Sequence, residues 1–551
     1  MPVAFRNGTA SNITQYKNPP PKKEKRKEVR NMKHVKKLFA MLMAVMMLVG
    51  LLSVTSFAAD KAPLTDHTYE AYQIFKGTQA ADSAVLGNLD WGTGIKSDDF
   101  LTALKADATI GSAFATCTTA QDVAKVVAGW GDSSDNAKAF AKVAYANKST
   151  TKTACVNGQT GLDAGYYLVV DTTNVAGKDD VKNLALLQLT NKGTFEIASK
   201  VDQPKVEKKV KDINDSKADS LTGWQDSADY DIGDSVPFQL KATLGTIADY
   251  DTYKVVFHDT MSKGLTYDAN SAVVKIYKDG DVTNTAETNV VTVTANFTFA
   301  TAAATDTEGA YVGGNTLTWS CADVKALGAK DNSVITVEYT AKLNENANIG
   351  SAGNPNEVYL EYSNNPNESG SGNNNTGKTP EDKVIVFTYK VVVNKVDGEK
   401  KALPGAEFTL YKKNVENEYV EVTGKLTKNA AGTEFTWTGI DDGDYKLVET
   451  TTPAGYNTAA DILFTVTATH DVLADNPALT SLTGTMADGS VTTLTPDKNA
   501  GTLTGDVVNN VGSTLPETGG MGTYIFYAVG GVLVLAAVVL FVTKKRMSNA
   551  D

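Results

Sequence analysis

The feature that most constrains this chain is an apolar run of nineteen residues, Tyr524–Val542, followed at once by Lys544, Lys545 and Arg546. At about 1.5 Å of rise per residue, a helix of this length covers the roughly 30 Å hydrocarbon core of a bilayer. The cations behind it favour the cytoplasmic side, so whatever precedes Tyr524 is expected outside. The other end agrees. Lys33, Lys36 and Lys37 precede the apolar stretch Leu38–Leu52 and the small residues Ser56, Ala58 and Ala59. That is the pattern of a secretory signal peptide, cut near Ala58 or Ala59. The segment before it, with Pro19-Pro20-Pro21 and a Lys/Arg/Glu cluster, fits neither a signal peptide nor a fold, so translation starts at Met1 or at Met32. About 460 residues remain between the two ends, enough for two to four domains with cores of their own.

Residues 1–59 hold eleven Lys/Arg against two Asp/Glu, and residues 519–551 hold three against one, so the formal −12 of the whole chain becomes −23 for the stretch between. Such a surface repels nucleic acid and anionic lipid. Three cysteines are too few for a disulfide scaffold. Cys117 and Cys155 share one expected domain and are either a pair formed in an oxidising exterior or buried free thiols, with Cys321 left over. His34, His67, His258 and His470 are the only histidines, and no HExxH, GxSxG, paired CxxC or phosphate-binding Gly loop accompanies them. An enzyme is not expected. The Asp residues lack EF-hand spacing, so neither a metal nor a cofactor is expected.

The pattern between the ends predicts a mainly β fold of tandem Ig-like β-sandwiches. Residues 60–200 read as a first domain with inserted helices: a strand at Tyr69–Phe75, Ala-rich helical spacing over Asp98–Phe114 and Ala120–Ala146, then strands at Gly165–Val170 and Leu184–Leu189. Residues 201–389 read as an all-β sandwich, with alternation at Val236–Leu240, Tyr253–Phe257, Val273–Tyr277, Val290–Val293, Val334–Tyr339 and Val358–Tyr362. The Asn/Gly/Ser-rich stretch Ser363–Thr379 is expected to be a long loop, with Val384–Tyr389 closing the domain. A third β-rich unit, 390–511, opens at Lys390–Asp397, and 512–551 completes the chain.

Just ahead of the apolar run stand Leu515, Pro516, Glu517, Thr518 and Gly519. Pentapeptide, span and basic tail in this order resemble the cell-wall sorting signal of Gram-positive surface proteins. The resemblance implies a sortase that cuts between Thr518 and Gly519 and passes the threonyl carbonyl to an amine, leaving the protein anchored to peptidoglycan.

The third unit carries Lys395-Val396-Asp397, Leu403-Pro404-Gly405-Ala406-Glu407-Phe408, Tyr445–Thr450, Pro453-Ala454-Gly455-Tyr456 and finally Val508-Asn509. It resembles the prealbumin-like B-type domain of Gram-positive adhesins and pilins. In that family a first-strand Lys and a last-strand Asn form an isopeptide bond beside a Glu, which implies Lys395, Asn509 and Glu449. The chemistry is intelligible from first principles. An ammonium is no nucleophile and an amide is a poor electrophile, but burial lowers a lysine pKa and raises that of a carboxylic acid. A neutral amine can then attack Cγ of the Asn while the acid donates to the amide and assists the loss of ammonia. The folded domain supplies the alignment.

The middle unit resembles the other isopeptide class of major pilins, with the bond implied at Lys208 and Asn356 and the acid at Asp259. Lys209 is the near-equal alternative to Lys208, because neighbours on a strand face opposite ways. Pilins of this kind also carry a Tyr-Pro-Lys whose lysine joins subunits. This chain lacks the motif and offers Lys200, by its spacing to Lys208, or Lys205, which follows Pro204. Taken together, the resemblance implies a major pilin: a shaft subunit polymerised head to tail by a class C sortase, with minor or tip pilins as further partners, on a Gram-positive cell surface. The alternative is a monomeric wall-anchored adhesin that binds a host ligand and needs no linkage lysine.

Overall fold

Alternation decides which side chains meet. In Tyr69–Gln79, residues Tyr69 and Ala71 face one side of the sheet while Tyr72 and Ile74 face the other. The partner strand Gly165–Asp171 obeys the same rule: Ala71 lies opposite Val169, and Tyr72 opposite Leu168. The computed structural model describes residues 67–79, 86–131, 134–156, 162–190, 202–368, 375–487, 493–512 and 521–547, all within the unit Leu64–Asp551. The expected signal peptide, Lys200 and the pentapeptide Leu515–Gly519 lie outside the described residues.

The first sheet runs in the order Leu86–Trp91, Tyr69–Gln79, Gly165–Asp171, Leu186–Thr190, with Thr153–Cys155 also paired to Tyr69–Gln79. Its helices are shorter than the sequence pattern suggests. Asp98–Phe114 divides into Ser97–Ala106 and Gly111–Phe114, where Asp107 Oδ1 accepts from the amides of Thr109 and Ile110 and turns the chain. Ala120–Ala146 divides into Ala120–Val127, opened by a Thr119/Asp122 capping box, and Asp135–Ala146, capped by Ser134.

Residues 205–387 form two facing sheets. One runs Val290–Thr292, Val273–Tyr277, Val334–Leu343, Ser235–Thr243, Lys205–Val210. The other runs Thr298–Ala303, Asn315–Cys321, Val255–Met261, Asn354–Ser363, Asp382–Phe387, Ser227–Asp229. Val236, Phe238, Leu240 and Ala242 alternate into the core between them. The expected loop Ser363–Thr379 contains a 3₁₀ turn, Pro366–Glu368, and a strand, Thr376–Lys378, that pairs with Asn354–Ser363. The closing strand is Asp382–Phe387, and Tyr389 instead begins the next strand, Tyr389–Asp397. From there two five-stranded sheets enclose a core that includes Val391, Val393, Phe408, Leu410, Trp437 and Leu503. The strand Thr502–Asn509 pairs in parallel with Tyr389–Asp397. The helix Met521–Met547 occupies the apolar run, with Lys544, Lys545 and Arg546 in its last turn.

All three cysteines are free and buried. Cys117 packs on the helix side of the first sheet, whereas Cys155, opposite Tyr69, packs on the other face. The sheet itself keeps the two thiols apart. Thiol titration in denaturant without reductant is expected to find three reactive groups per chain; one group would reveal a disulfide.

Candidate functional site

Two buried cages of lysine, acid and asparagine stand in the cores, each built by strand alternation. In Lys205–Val210 the inward positions are Lys208 and Val210, and Lys208 sits opposite Leu240 of the neighbouring strand. Lys209 points the other way, to an ion pair with Asp226. From the facing sheet, Asp259 follows Phe257 on the inward side, and Asn356 precedes Val358 and Leu360. Lys208, Asp259 and Asn356 are all 0% exposed. Lys208 Nζ donates to Asp259 Oδ2 at 2.6 Å and to the Tyr339 hydroxyl at 3.2 Å. That hydroxyl donates to Asp259 Oδ2 at 2.8 Å and accepts from Asn356 Nδ2 at 2.7 Å.

Tyr339 was not among the residues expected here. Its place was legible as the inward end of the run Ile335, Val337, Tyr339, where a buried phenol needs a hydrogen-bond partner. Asp259 Oδ1 and Asn356 Oδ1 have no partner among the described residues. Burial lowers the Lys208 pKa against the pull of Asp259, and burial raises that of Asp259. Both shifts move the pair toward neutral amine and neutral acid.

The second cage differs in its geometry. Lys395 follows Tyr389, Val391 and Val393 on the inward side of one strand, and Asn509 follows Leu503 and Val507 on the next. Their parallel register sets Lys395 against Val507 and Asp397 against Asn509, so lysine and asparagine are diagonal neighbours within one sheet. Glu449 reaches in from the facing sheet, after Tyr445 and Leu447. Asn509 Nδ2 donates to both Glu449 oxygens, at 2.8 and 3.0 Å, and the Ala459 amide donates to Glu449 Oε2. Lys395 Nζ donates to the carbonyls of Val396 and Val507, each at 3.1 Å. Burial lowers the Lys395 pKa. Lys205, the described linkage candidate, is exposed at the first position of its strand.

The acidic clusters elsewhere are held by the protein's own cations. Asp215, Asp231, Asp234 and Asp441 surround Lys412 Nζ, which pairs with Asp215, Asp231 and Asp441, while Lys425 pairs with Asp231. The Lys412 ammonium is fixed in its charged form, because the neighbouring carboxylates outweigh its burial. It is the opposite of Lys208 and Lys395. Asp212 and Asp229 face His470 Nε2 at 3.6 and 3.5 Å. His470 Nδ1 meets Ser227 Oγ at 2.7 Å, and that hydroxyl already donates to the Asp471 carbonyl, so Nδ1 donates while Nε2 faces the two carboxylates.

A buried cage repeated in two β-sandwiches is followed by a helix, Gly522–Met547, long and apolar enough to cross a membrane and basic at its end. Residues 389–477 match the prealbumin-like fold domain family and residues 507–549 the LPXTG cell wall anchor motif. The chain is 25% identical over 412 residues to the trypsin-resistant surface T6 protein of Streptococcus pyogenes serotype M6, covering 63% of this chain and 70% of that protein. The solved T6 backbone pilin of serotype M6 Streptococcus pyogenes is 19% identical at a TM-score of 0.47, over 81% of this chain and 96% of that one. The full-length major pilin SpaD of Corynebacterium diphtheriae is 18% identical at 0.40, over 81% and 90%.

Burial alone would lower the His470 pKa, but the two carboxylates win and hold it at about 9, above the ordinary 6.5. Its contribution to stability is therefore complete below about pH 6.5 and is lost as pH rises through about 9. His470→Gln is expected to lower the melting midpoint by about 2–4 °C at pH 6.5. In melting curves across this window, the gap between the two proteins should close as pH rises.

Proposed function

We propose that this chain is the shaft subunit of a covalent surface pilus, and that each cage closes into an intramolecular isopeptide bond. The observation that carries the proposal is that two fully buried lysines each lie in a core with a buried acid and a buried asparagine, in a chain whose residues 507–549 match a wall anchor. The relationship to the T6 protein, a backbone pilin, supports it. On this reading residues 60–200, 201–389 and 390–511 are successive domains between a cleaved signal peptide and the sorting signal. A sortase joins Thr518 of one subunit to Lys200 or Lys205 of the next and attaches the finished polymer to peptidoglycan, with minor pilins added at the tip.

In each cage the neutral lysine amine attacks Cγ of the asparagine, and ammonia leaves. In the middle cage the acid is Asp259, whose Oδ1, like Asn356 Oδ1, has no partner among the described residues. In the other cage Glu449 already grips the departing nitrogen. The bonds would span 148 and 114 residues, and by analogy with disulfides each would contribute on the order of 5 kcal/mol through the unfolded chain. The middle bond would tie two facing sheets together. The C-terminal bond would tie neighbouring strands of one sheet.

Recombinant residues 60–512 are expected to weigh about 34 Da less than their sequence, one ammonia of about 17 Da per bond. Glu449→Ala should restore about 17 Da while the domain still folds, because the acid serves the reaction more than the packing; a mutant that cross-links normally would remove Glu449 from the role. Boiled wall extracts should give a high-mass ladder. Lys200→Ala or Lys205→Ala should collapse it, whichever is the linkage lysine, and a ladder that survives the double mutant moves the site elsewhere. A single anchored species in place of the ladder would return the protein to the adhesin reading.

A further inference from the structure

The two cages differ at the atom that must leave. In the C-terminal cage Asn509 Nδ2 lies directly on the acid, within 2.8 and 3.0 Å of the Glu449 oxygens. In the middle cage no hydrogen bond joins Asp259 to Asn356. Asn356 Nδ2 rests on the Tyr339 hydroxyl at 2.7 Å, and that hydroxyl rests on Asp259 Oδ2 at 2.8 Å. Tyr339 is itself buried, stacked on Phe238 with ring centroids 5.4 Å apart, so its hydroxyl is held in place. No described side chain other than Tyr339 connects the acid to the leaving nitrogen.

We propose that Tyr339 is a catalytic residue of the middle cage, the relay that carries the proton of Asp259 to the departing ammonia. This rests on the isopeptide reading above. A planar amide nitrogen has no lone pair to accept with, which is why Asn356 Nδ2 donates to Tyr339 in the resting geometry. Attack by Lys208 Nζ makes Cγ tetrahedral and turns Nδ2 into an amine that accepts. The Tyr339 hydroxyl, which donates to Asp259 Oδ2 at rest, then turns to give its proton to Nδ2 while it takes one held on Asp259 Oδ2, and the protonated Nζ, 2.6 Å from that oxygen, returns one to the acid. The Nζ–Cγ bond forms, the Cγ–Nδ2 bond breaks and ammonia leaves. One proton has moved around the ring Nζ, Asp259, Tyr339, Nδ2, and acid and phenol end as they began. The sequence carries a second, independent cage that needs no tyrosine, which makes an internal control.

The test is intact mass against time for residues 60–512 released from a pulse of cell-free translation. Wild type should lose two ammonias. Tyr339→Phe should lose the C-terminal one at the wild-type rate and the middle one about 10²-fold or more slowly, the usual worth of a positioned proton donor. Asp259→Ala combined with Tyr339→Phe should be no slower than Asp259→Ala alone, because the two act in one chain; additive losses would mark Tyr339 as merely structural and overturn the proposal. Should Tyr339→Phe fold poorly, 3,5-difluorotyrosine at 339 keeps the shape and changes only the acidity of the hydroxyl. An unchanged rate of middle-bond closure with that residue also overturns the relay. A wild-type chain that loses no ammonia at the middle cage instead overturns the isopeptide reading itself.

Discussion

A lysine buried to 0% exposure in the core of each of two β-sandwiches is the constraint on which the rest of this structure turns. A charged amine in such a place costs several kcal/mol unless it is paired or neutralised. Lys412 shows the ordinary solution, an ammonium ringed by Asp215, Asp231 and Asp441. Among the described residues Lys208 has one carboxylate and the Tyr339 hydroxyl as hydrogen-bond partners and Lys395 backbone carbonyls, and burial pushes both toward the neutral amine. Conversion to an amide would remove the buried charge for good. On the proposed reading the same cores would set up the chemistry and gain from its product.

The cages also fix how force would travel along a shaft. Thr502–Asn509 lies parallel to Tyr389–Asp397, so the last strand of the domain leaves beside the first. A bond between Lys395 and Asn509 would carry tension straight across that pair. In the middle unit the tie between Lys208 and Asn356 joins the strand that enters one sheet to a central strand of the other. Between these units the junction is polar. His470 sits against Ser227, Asp212 and Asp229, and Lys412 against Asp215 and Asp231.

Much of this was readable from the residues because strand alternation is strict. The sequence left Lys208 and Lys209 open and reached Lys395 by resemblance; in the folded chain Lys208 shares the inward side with Val210, and Lys395 shares it with Val391 and Val393. What the pattern missed depended on contacts far apart in the chain. Tyr339 becomes the centre of the middle cage only when its strand is laid across from Asp259 and Asn356. The helical stretches broke where Asp107 bonds to nearby amides and where Gly129 and Gly131 interrupt the Ala-rich spacing, local chemistry that periodicity averages away. Cys117 and Cys155, close in a reading by domain, are separated by the thickness of a sheet.

The most direct measurement is tandem mass spectrometry of trypsin-digested protein taken from the cell wall. Trypsin cuts after a free lysine and passes over one in an amide. The account predicts branched peptides in which Lys208 is joined to the segment holding Asn356, and Lys395 to the segment holding Asn509. Linear peptides that end at Lys208 and at Lys395, with both asparagines intact, would contradict it.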